Sequence, residues 1–379
     1  MSRKFLLGAA AAAAFVATGG VAMAAPPILI GVQAPITGTY ADEGQGIQKA
    51  VQLLADEQNA KGGLLGRKIE VKACDDEGTA SQAAICARQL VDAHVVAVIG
   101  SYTSGAALAA EPIYARANVL QSSDGTSNQL LERGYQTWFG NAPPNSAEAV
   151  FTANYLVNVR HFKRIAVLTD HSSFATGLAD EVEKDVKAVH GNVVDKAFIN
   201  AGSQNFTPVL TQIKSLNPDV LYFSGYYSDG GLIRAQMQQL GMKAVFVGGD
   251  ANQNVSFGKI AGSAAAGSVI LNVPAPQDLP YPAAKQFVAA YKAKYGALPP
   301  SVYTLTNADG MRAIMQAIAE TKSTDPKKLE GYLHHLKSFQ GLTGTFAWNA
   351  RGERTGSPFV AFEVDAQGNY SILYPKPAH

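Results

Sequence analysis

The sequence predicts an α/β protein built as two doubly wound, Rossmann-like lobes joined by a three-segment hinge. Three observations lead there: short Val- and Ile-rich runs alternate with amphipathic segments, one loop pattern occurs twice, and 379 residues exceed what a single ordinary domain holds.

The apolar runs lie at residues 28–32, 68–71, 95–99, 164–168, 220–223 and 244–247. Each is short and rich in β-branched residues, the pattern of a strand buried on both faces of a parallel sheet. Between the first two, Ile47, Ala50, Val51, Leu54 and Ala55 recur at three- and four-residue steps, so this segment is a helix with one apolar face. Lys61-Gly62-Gly63 stops it with a basic last turn and a glycine cap. Strand, helix, strand is the repeating unit. In such sheets ligands bind beyond the carboxyl ends of the strands.

The repeated loop reads Gly100-Ser101-Tyr102-Thr103-Ser104-Gly105 in one half and Gly225-Tyr226-Tyr227-Ser228-Asp229-Gly230 in the other, each between a strand run and a helical run. The match resumes at the end of the next strand, with Ser123-Asp124-Gly125-Thr126-Ser127-Asn128 and Gly249-Asp250-Ala251-Asn252-Gln253-Asn254, so Asp124 and Asp250 hold equivalent places. Two similar lobes that face these loops toward each other enclose a cleft. No low-complexity linker separates them, so the chain passes between lobes in short ordered crossings near Pro143-Pro144, Val273-Pro274 and Asn349. This division gives residues 27–144 with 275–349 to lobe 1, and residues 145–274 with 350–379 to lobe 2. Such crossings act as a hinge.

The start of the chain sets the compartment. Ser2-Arg3-Lys4 is cationic, residues 5–16 are apolar and Ala22-Met23-Ala24 is a small-x-small cleavage site, so residues 1–24 read as a secretory signal peptide. That apolar run is too short to span a bilayer, and no later stretch is both long and apolar enough. No cysteine follows the cleavage site, which disfavours a lipid anchor and points to the periplasm. A net charge of +1 without any basic block excludes nucleic acid and anionic membrane as partners. Cys74 and Cys86 are the two cysteines; an oxidising compartment favours joining them. So short a loop contributes about 2–3 kcal/mol, mainly by restricting the unfolded chain.

Taken in order, Gly31-Val32 to Gly38-Thr39-Tyr40, Asn59-Ala60-Lys61-Gly62-Gly63, Asp75-Asp76, the Gly100 loop, Arg133-Gly134-Tyr135, the Gly225 loop and Ile260-Ala261-Gly262 form a series. It resembles the type I periplasmic binding proteins for leucine, isoleucine and valine, the substrate-binding components of ATP-binding-cassette importers. The resemblance covers essentially the whole mature chain. It implies a monomeric, non-enzymatic periplasmic protein without cofactor, which takes a branched-chain or related amino acid between its lobes. An inner-membrane permease then receives that zwitterion.

In that family the ligand carboxylate is held by a serine at a helix start and a threonine in the next strand-end loop, which fall here on Ser104 and Thr126. Free N–H groups at a helix N-terminus and a hydroxyl suit an anion. Ser104 also reads as the cap of its own helix. The ammonium belongs to an acidic residue and a tyrosine of the second lobe, which align with Asp250 and Tyr226. A charge-assisted hydrogen bond of this kind contributes about 1.5–3 kcal/mol. Asp250 reads alternatively as a turn or cap residue before Asn252.

Tyr40, Tyr102, Phe174 and Tyr303 are the expected aromatic walls. Three departures from the family pattern stand out. Asp124 replaces a small residue that offers its backbone; it suits a ligand with a second donor or cation, or holds an Asx turn before Gly125. Phe174 replaces a tyrosine. The family cysteine pairs with the loop position that Thr103 occupies here, so a Cys74–Cys86 bridge is this chain's own.

Motifs for catalysis are not found. The serine near Gly100 lacks a Gly-x-Ser-x-Gly elbow, His334-His335 are adjacent on one helix and point apart, and Gly44-Gln45-Gly46 lacks the third glycine of a dinucleotide fingerprint. Asp75-Asp76 and Asp170-His171 read as solvated strand ends rather than acid/base pairs. An amide or amino-acid sensor domain and a secreted α/β hydrolase are the alternatives from other classes.

Overall fold

The computed structural model describes residues 25–356 and 358–375. The expected signal peptide lies outside the described residues. In the first half β1 (Ile28–Ala34), α1 (Ala41–Ala60), β2 (Ile69–Asp75), α2 (Ala80–Asp92), β3 (Ala97–Ile99), α3 (Ser104–Ala117), β4 (Leu120–Ser123), α4 (Asn128–Glu132) and β5 (Trp138–Gly140) alternate along the chain. The strands form a parallel sheet in the order β2-β1-β3-β4-β5. Ile28, Ile30, Val32 and Ala34 of β1 are fully buried, and each such large aliphatic side chain contributes about 1.5–3 kcal/mol. β2 differs from the sequence expectation of burial on both faces. As the edge strand it has a neighbour on one side, and Glu70 is exposed with most of the strand half-buried.

The second half repeats this plan. After α5 (Asn145–Asn154) come β6 (Ile165–Thr169), α6 (Ser173–Ala188), β7 (Val193–Phe198), α7 (Thr207–Ser215), β8 (Val220–Ser224), α8 (Tyr227–Gln239), β9 (Val245–Gly248), α9 (Val255–Ala261) and β10 (Ser268–Asn272). Their parallel order, β7-β6-β8-β9-β10, is that of the first sheet strand for strand. The repeated loops occupy matching places: one leaves β3 into α3, the other leaves β8 into α8. Gly100 has φ +112°, and a Cβ there would stand 1.8 Å from the Gln33 carbonyl oxygen, so only glycine closes this turn.

The chain then returns to the first half as α10 (Pro282–Tyr295), α11 (Tyr303–Thr321) and α12 (Pro326–His335). α11 packs on α1, β3 and β4, and residues 303–311 are buried without interruption. A small antiparallel sheet follows, of β11 (Phe339–Gly341), β12 (Gly344–Trp348) and β13 (Arg354–Thr355). β14 (Val360–Val364) and β15 (Tyr370–Tyr374) finally extend the second sheet, antiparallel beside β10. The first two passages between sheets fall at residues 141–144 and 273–281. The third comes later than Asn349, because Arg354 and Thr355 still pair with Trp348 and Ala347. Trp348 Nε1 donates to the Gly140 carbonyl at 2.7 Å and Arg354 to that of Asn141 at 2.7 Å, which ties the last passage to the first.

The carboxyl ends of the two sheets face each other across a closed seam. Tyr227 Oη donates to the Thr39 carbonyl (3.2 Å), the Val255 N–H to that of Pro300 (3.3 Å) and Asn254 Nδ2 to Glu43 Oε1 (2.7 Å). Ser256 donates to Asp42 and Asn128 to Glu181 across the same seam. Glu43 is fully buried, and Ser301 Oγ donates to its second oxygen at 2.6 Å. Burial pushes its carboxyl up to about 7, against the pull of those two hydrogen bonds.

A carboxyl raised from 4.5 to about 7 on folding stabilises the folded state below the lower value, and the contribution is lost as pH rises through the upper one. Glu111, pushed to about 7, and Asp229, pushed to about 6, both by burial, add to the same slope. The melting temperature of the unliganded protein is therefore expected to fall from about pH 5 to about pH 8, with Glu43→Gln flattening part of the fall. A profile unchanged by Glu43→Gln contradicts the assignment. Cys74 at the end of β2 and Cys86 on α2 are joined, with Cα atoms 5.6 Å apart and a sequence separation of 12. Replacing both by serine is expected to lower the unfolding free energy by about 2–3 kcal/mol in denaturant titration. Reductant should then have no further effect.

Candidate functional site

In both sheets the strand order reverses between the first strand and the third, which opens a crevice beyond the strand ends. The loops and helix starts after β1, β3 and β4 carry Tyr40, Tyr102, Ser104, Asp124 and Thr126; those after β6, β8 and β9 carry Phe174, Tyr226 and Asp250. A narrow cavity of about 10 Å³ is lined by Tyr102, Ser104, Asp124, Thr126, Phe174, Tyr226 and Asp250, together with Ala251 and Tyr303. Tyr40 stands behind this lining, its ring centroid 4.6 Å from that of Tyr226 and 6.0 Å from that of Tyr102. A space of this size holds about one water in this closed form.

Helix α3 is capped by Thr103, whose hydroxyl accepts from the Ala106 N–H at 3.3 Å. The capping alternative for Ser104 is thus excluded. Ser104 Oγ instead accepts from the N–H groups of Thr126 (3.1 Å) and Ser127 (3.2 Å), which leaves its hydrogen to donate. Asp124 does not hold an Asx turn, because the Thr126 N–H that such a turn needs goes to Ser104 Oγ. The Asp124 carboxylate reaches α11, where Thr306 Oγ1 donates at 2.8 Å and Asn307 Nδ2 donates to the other oxygen. Burial holds its carboxyl well above the usual range, against those hydrogen bonds and the Arg354 charge.

Asp250 starts a single 3₁₀ turn, and its Oδ1 accepts from the Ala251 N–H at 2.6 Å, so the turn role and the place in the cavity coexist. The Tyr303 hydroxyl approaches the same carboxylate. Beneath it lies Glu148 of α5, which the sequence reading missed: its Oε1 accepts from the Asp250 N–H at 2.9 Å. Both acids are buried. Among the described residues no Lys or Arg forms an ion pair with either.

Aromatic rings close the remaining walls, Phe174 to Tyr226 at 5.1 Å, Tyr102 to Tyr303 at 5.4 Å and Tyr102 to Tyr226 at 5.8 Å between centroids. The Tyr102 hydroxyl is buried without a protein partner. Asp76 and Asp170, expected to be solvated, are buried. Asp76 accepts from Ser101, from Gln33 at 3.2 Å and from the Gly78 N–H at 2.9 Å, and Asp170 from the Ser172 N–H at 2.6 Å. They fix strand-end turns outside the cavity lining. Thr306 and Asn307 were also missed, although a run of small polar residues within one buried helix, Thr304 to Asp309, is the signal that marks them.

The comparisons with known proteins agree with this architecture. Residues 27–369 match the family described as periplasmic binding protein. The Leu/Ile/Val-binding protein homolog 3 of Brucella melitensis is 30% identical over 355 residues, covering 93% of this chain and 95% of that protein. A leucine-binding protein from Thermotoga maritima superimposes with a TM-score of 0.85 at 26% identity, over 91% of this chain and 97% of that one. The branched-chain amino acid transporter substrate-binding protein of Streptococcus pneumoniae, in complex with isoleucine, gives 0.84 at 28%, over 92% and 100%. With nearly its whole length matched and its paired sheets superimposed on these structures, the chain belongs to the periplasmic binding protein family, a family of substrate-binding proteins.

Proposed function

We propose that this chain is the periplasmic solute-binding component of an ATP-binding-cassette importer, taking a small amino acid of the branched-chain or a related kind. The observation that carries this reading is the cavity to which both repeats contribute: Ser104 and Thr126 on one side, Tyr226 and Asp250 on the other. The relatives support the ligand class through the leucine, isoleucine and valine in their names.

A zwitterion matches such a lining. Its carboxylate takes the Ser104 hydroxyl and Thr126 beside the N-terminus of α3, where the helix dipole favours negative charge. Its ammonium supplies the cation that Asp250 lacks among the described residues, with Tyr226 beside it. Tyr102, Phe174 and Tyr303 then face the side chain, with Tyr40 backing them. We assign residues 27–144 with 275 to about 355 to one rigid lobe and the rest of the mature chain to the other. The three passages are the hinge. Contacts made only in the closed form supply the free energy of closure. The signal segment directs export, and the closed monomer presents both lobes to the permease.

Calorimetry with L-leucine is the first test. Asp250→Asn is expected to weaken binding tenfold to a hundredfold or more, by loss of a charge-assisted contact worth about 1.5–3 kcal/mol. Ser104→Ala is expected to weaken it about tenfold and also to lower the melting temperature, since it leaves the buried Thr126 and Ser127 N–H groups without their acceptor. Unchanged affinity in Asp250→Asn removes that residue from the ammonium site.

A further inference from the structure

Two carboxyl groups meet under the second-lobe wall of the cavity. Glu148 and Asp250 keep 1% and 3% of their surface exposed, so neither is neutralised by water. The Glu148 side chain accepts the Asp250 N–H at 2.9 Å and lies within hydrogen-bonding reach of the Asp250 carboxyl itself. Gly249 makes this approach possible: a Cβ there would stand 2.8 Å from Glu148 Oε1 and 2.9 Å from the Tyr222 hydroxyl. The groups facing the pair are Tyr222 from β8 and Tyr303 from α11, both uncharged. Two bare carboxylates in contact, buried and without a cation, are too costly to coexist.

We propose that Glu148 is a positioning residue for the ligand site, a neutral carboxylic acid that donates its proton to the Asp250 carboxylate while accepting the Asp250 N–H. The inference rests on the reading of Asp250 as the ammonium partner. Held from two directions, the Asp250 carboxylate keeps a fixed orientation, and the second-lobe wall presents one negative charge instead of two. One charge matches one ammonium. Burial and then repulsion from Asp250 hold the Glu148 carboxyl well above the usual range. The Asp250 carboxylate already has the Ala251 N–H at 2.6 Å and the Tyr303 hydroxyl beside it to support a charge, so the proton is placed on Glu148.

Infrared difference spectra of the unliganded protein at about pH 7 read the proton directly. Subtracting Glu148→Gln from the parent protein is expected to reveal a protonated-carboxyl C=O band; a carboxylate band in its place overturns the proposal. L-leucine affinity reads the positioning. Glu148→Gln, which keeps an acceptor and a donor, should bind within about threefold of the parent, and Glu148→Leu, which keeps neither, should bind tenfold or more weakly. Parent-like binding by Glu148→Leu, or a loss in Glu148→Gln as large as in Asp250→Asn, overturns it. Should Glu148→Leu fail to fold, the Glu148→Gln spectrum and affinity decide. A neutral Asp250→Asn sinks the ammonium reading instead, and leaves the infrared result to stand by itself.

Discussion

A buried carboxylate needs a cation or a shell of donors, and this requirement governs the centre of the molecule. Four acids, Glu43, Asp124, Glu148 and Asp250, are buried where the two sheets meet. Glu43 and Asp124 are satisfied from within by Ser301, Asn254, Thr306 and Asn307. Asp250 is supported from behind and below but faces the cavity with no cation of the protein's own among the described residues. The proposed ligand completes that arrangement, which explains why so polar a lining is enclosed at all.

The paired sheets make such a centre possible. Because both have the same strand order, their crevices open at equivalent strand ends, and turning one sheet toward the other brings two sets of loops together. The contacts across the seam combine hydrogen bonds, Asn254 to Glu43, Tyr227 to Thr39 and Val255 to Pro300, with the packed rings of Tyr40, Tyr102 and Tyr226. Arg354 and Trp348 tie the last passage to the first.

Much of this was legible in the residues. The six apolar runs are all strands, and the doubled glycine-tyrosine loop corresponds to β3–α3 and β8–α8 because a turn that must bring a helix start to a strand end needs similar residues wherever it occurs. The cavity collects eight of the nine pocket residues singled out in the sequence, with Tyr40 behind them. What remained hidden depends on contacts distant in sequence. Nothing near Asp124 signals that Thr306 and Asn307 of α11 grip it, and Glu148 sits in a helix whose local pattern resembles any solvated charge. The edge position of β2 and the late third passage after Thr355 follow from strand pairing, which periodicity along one segment does not report.

The account is tested most directly by a crystal structure with L-leucine bound. It predicts the ligand carboxylate on Ser104 and Thr126 and the ammonium on Asp250, with both lobes in contact with one molecule. Leucine bound with its charges reversed, or lodged in the outer groove near Gln253 and Lys259, contradicts it.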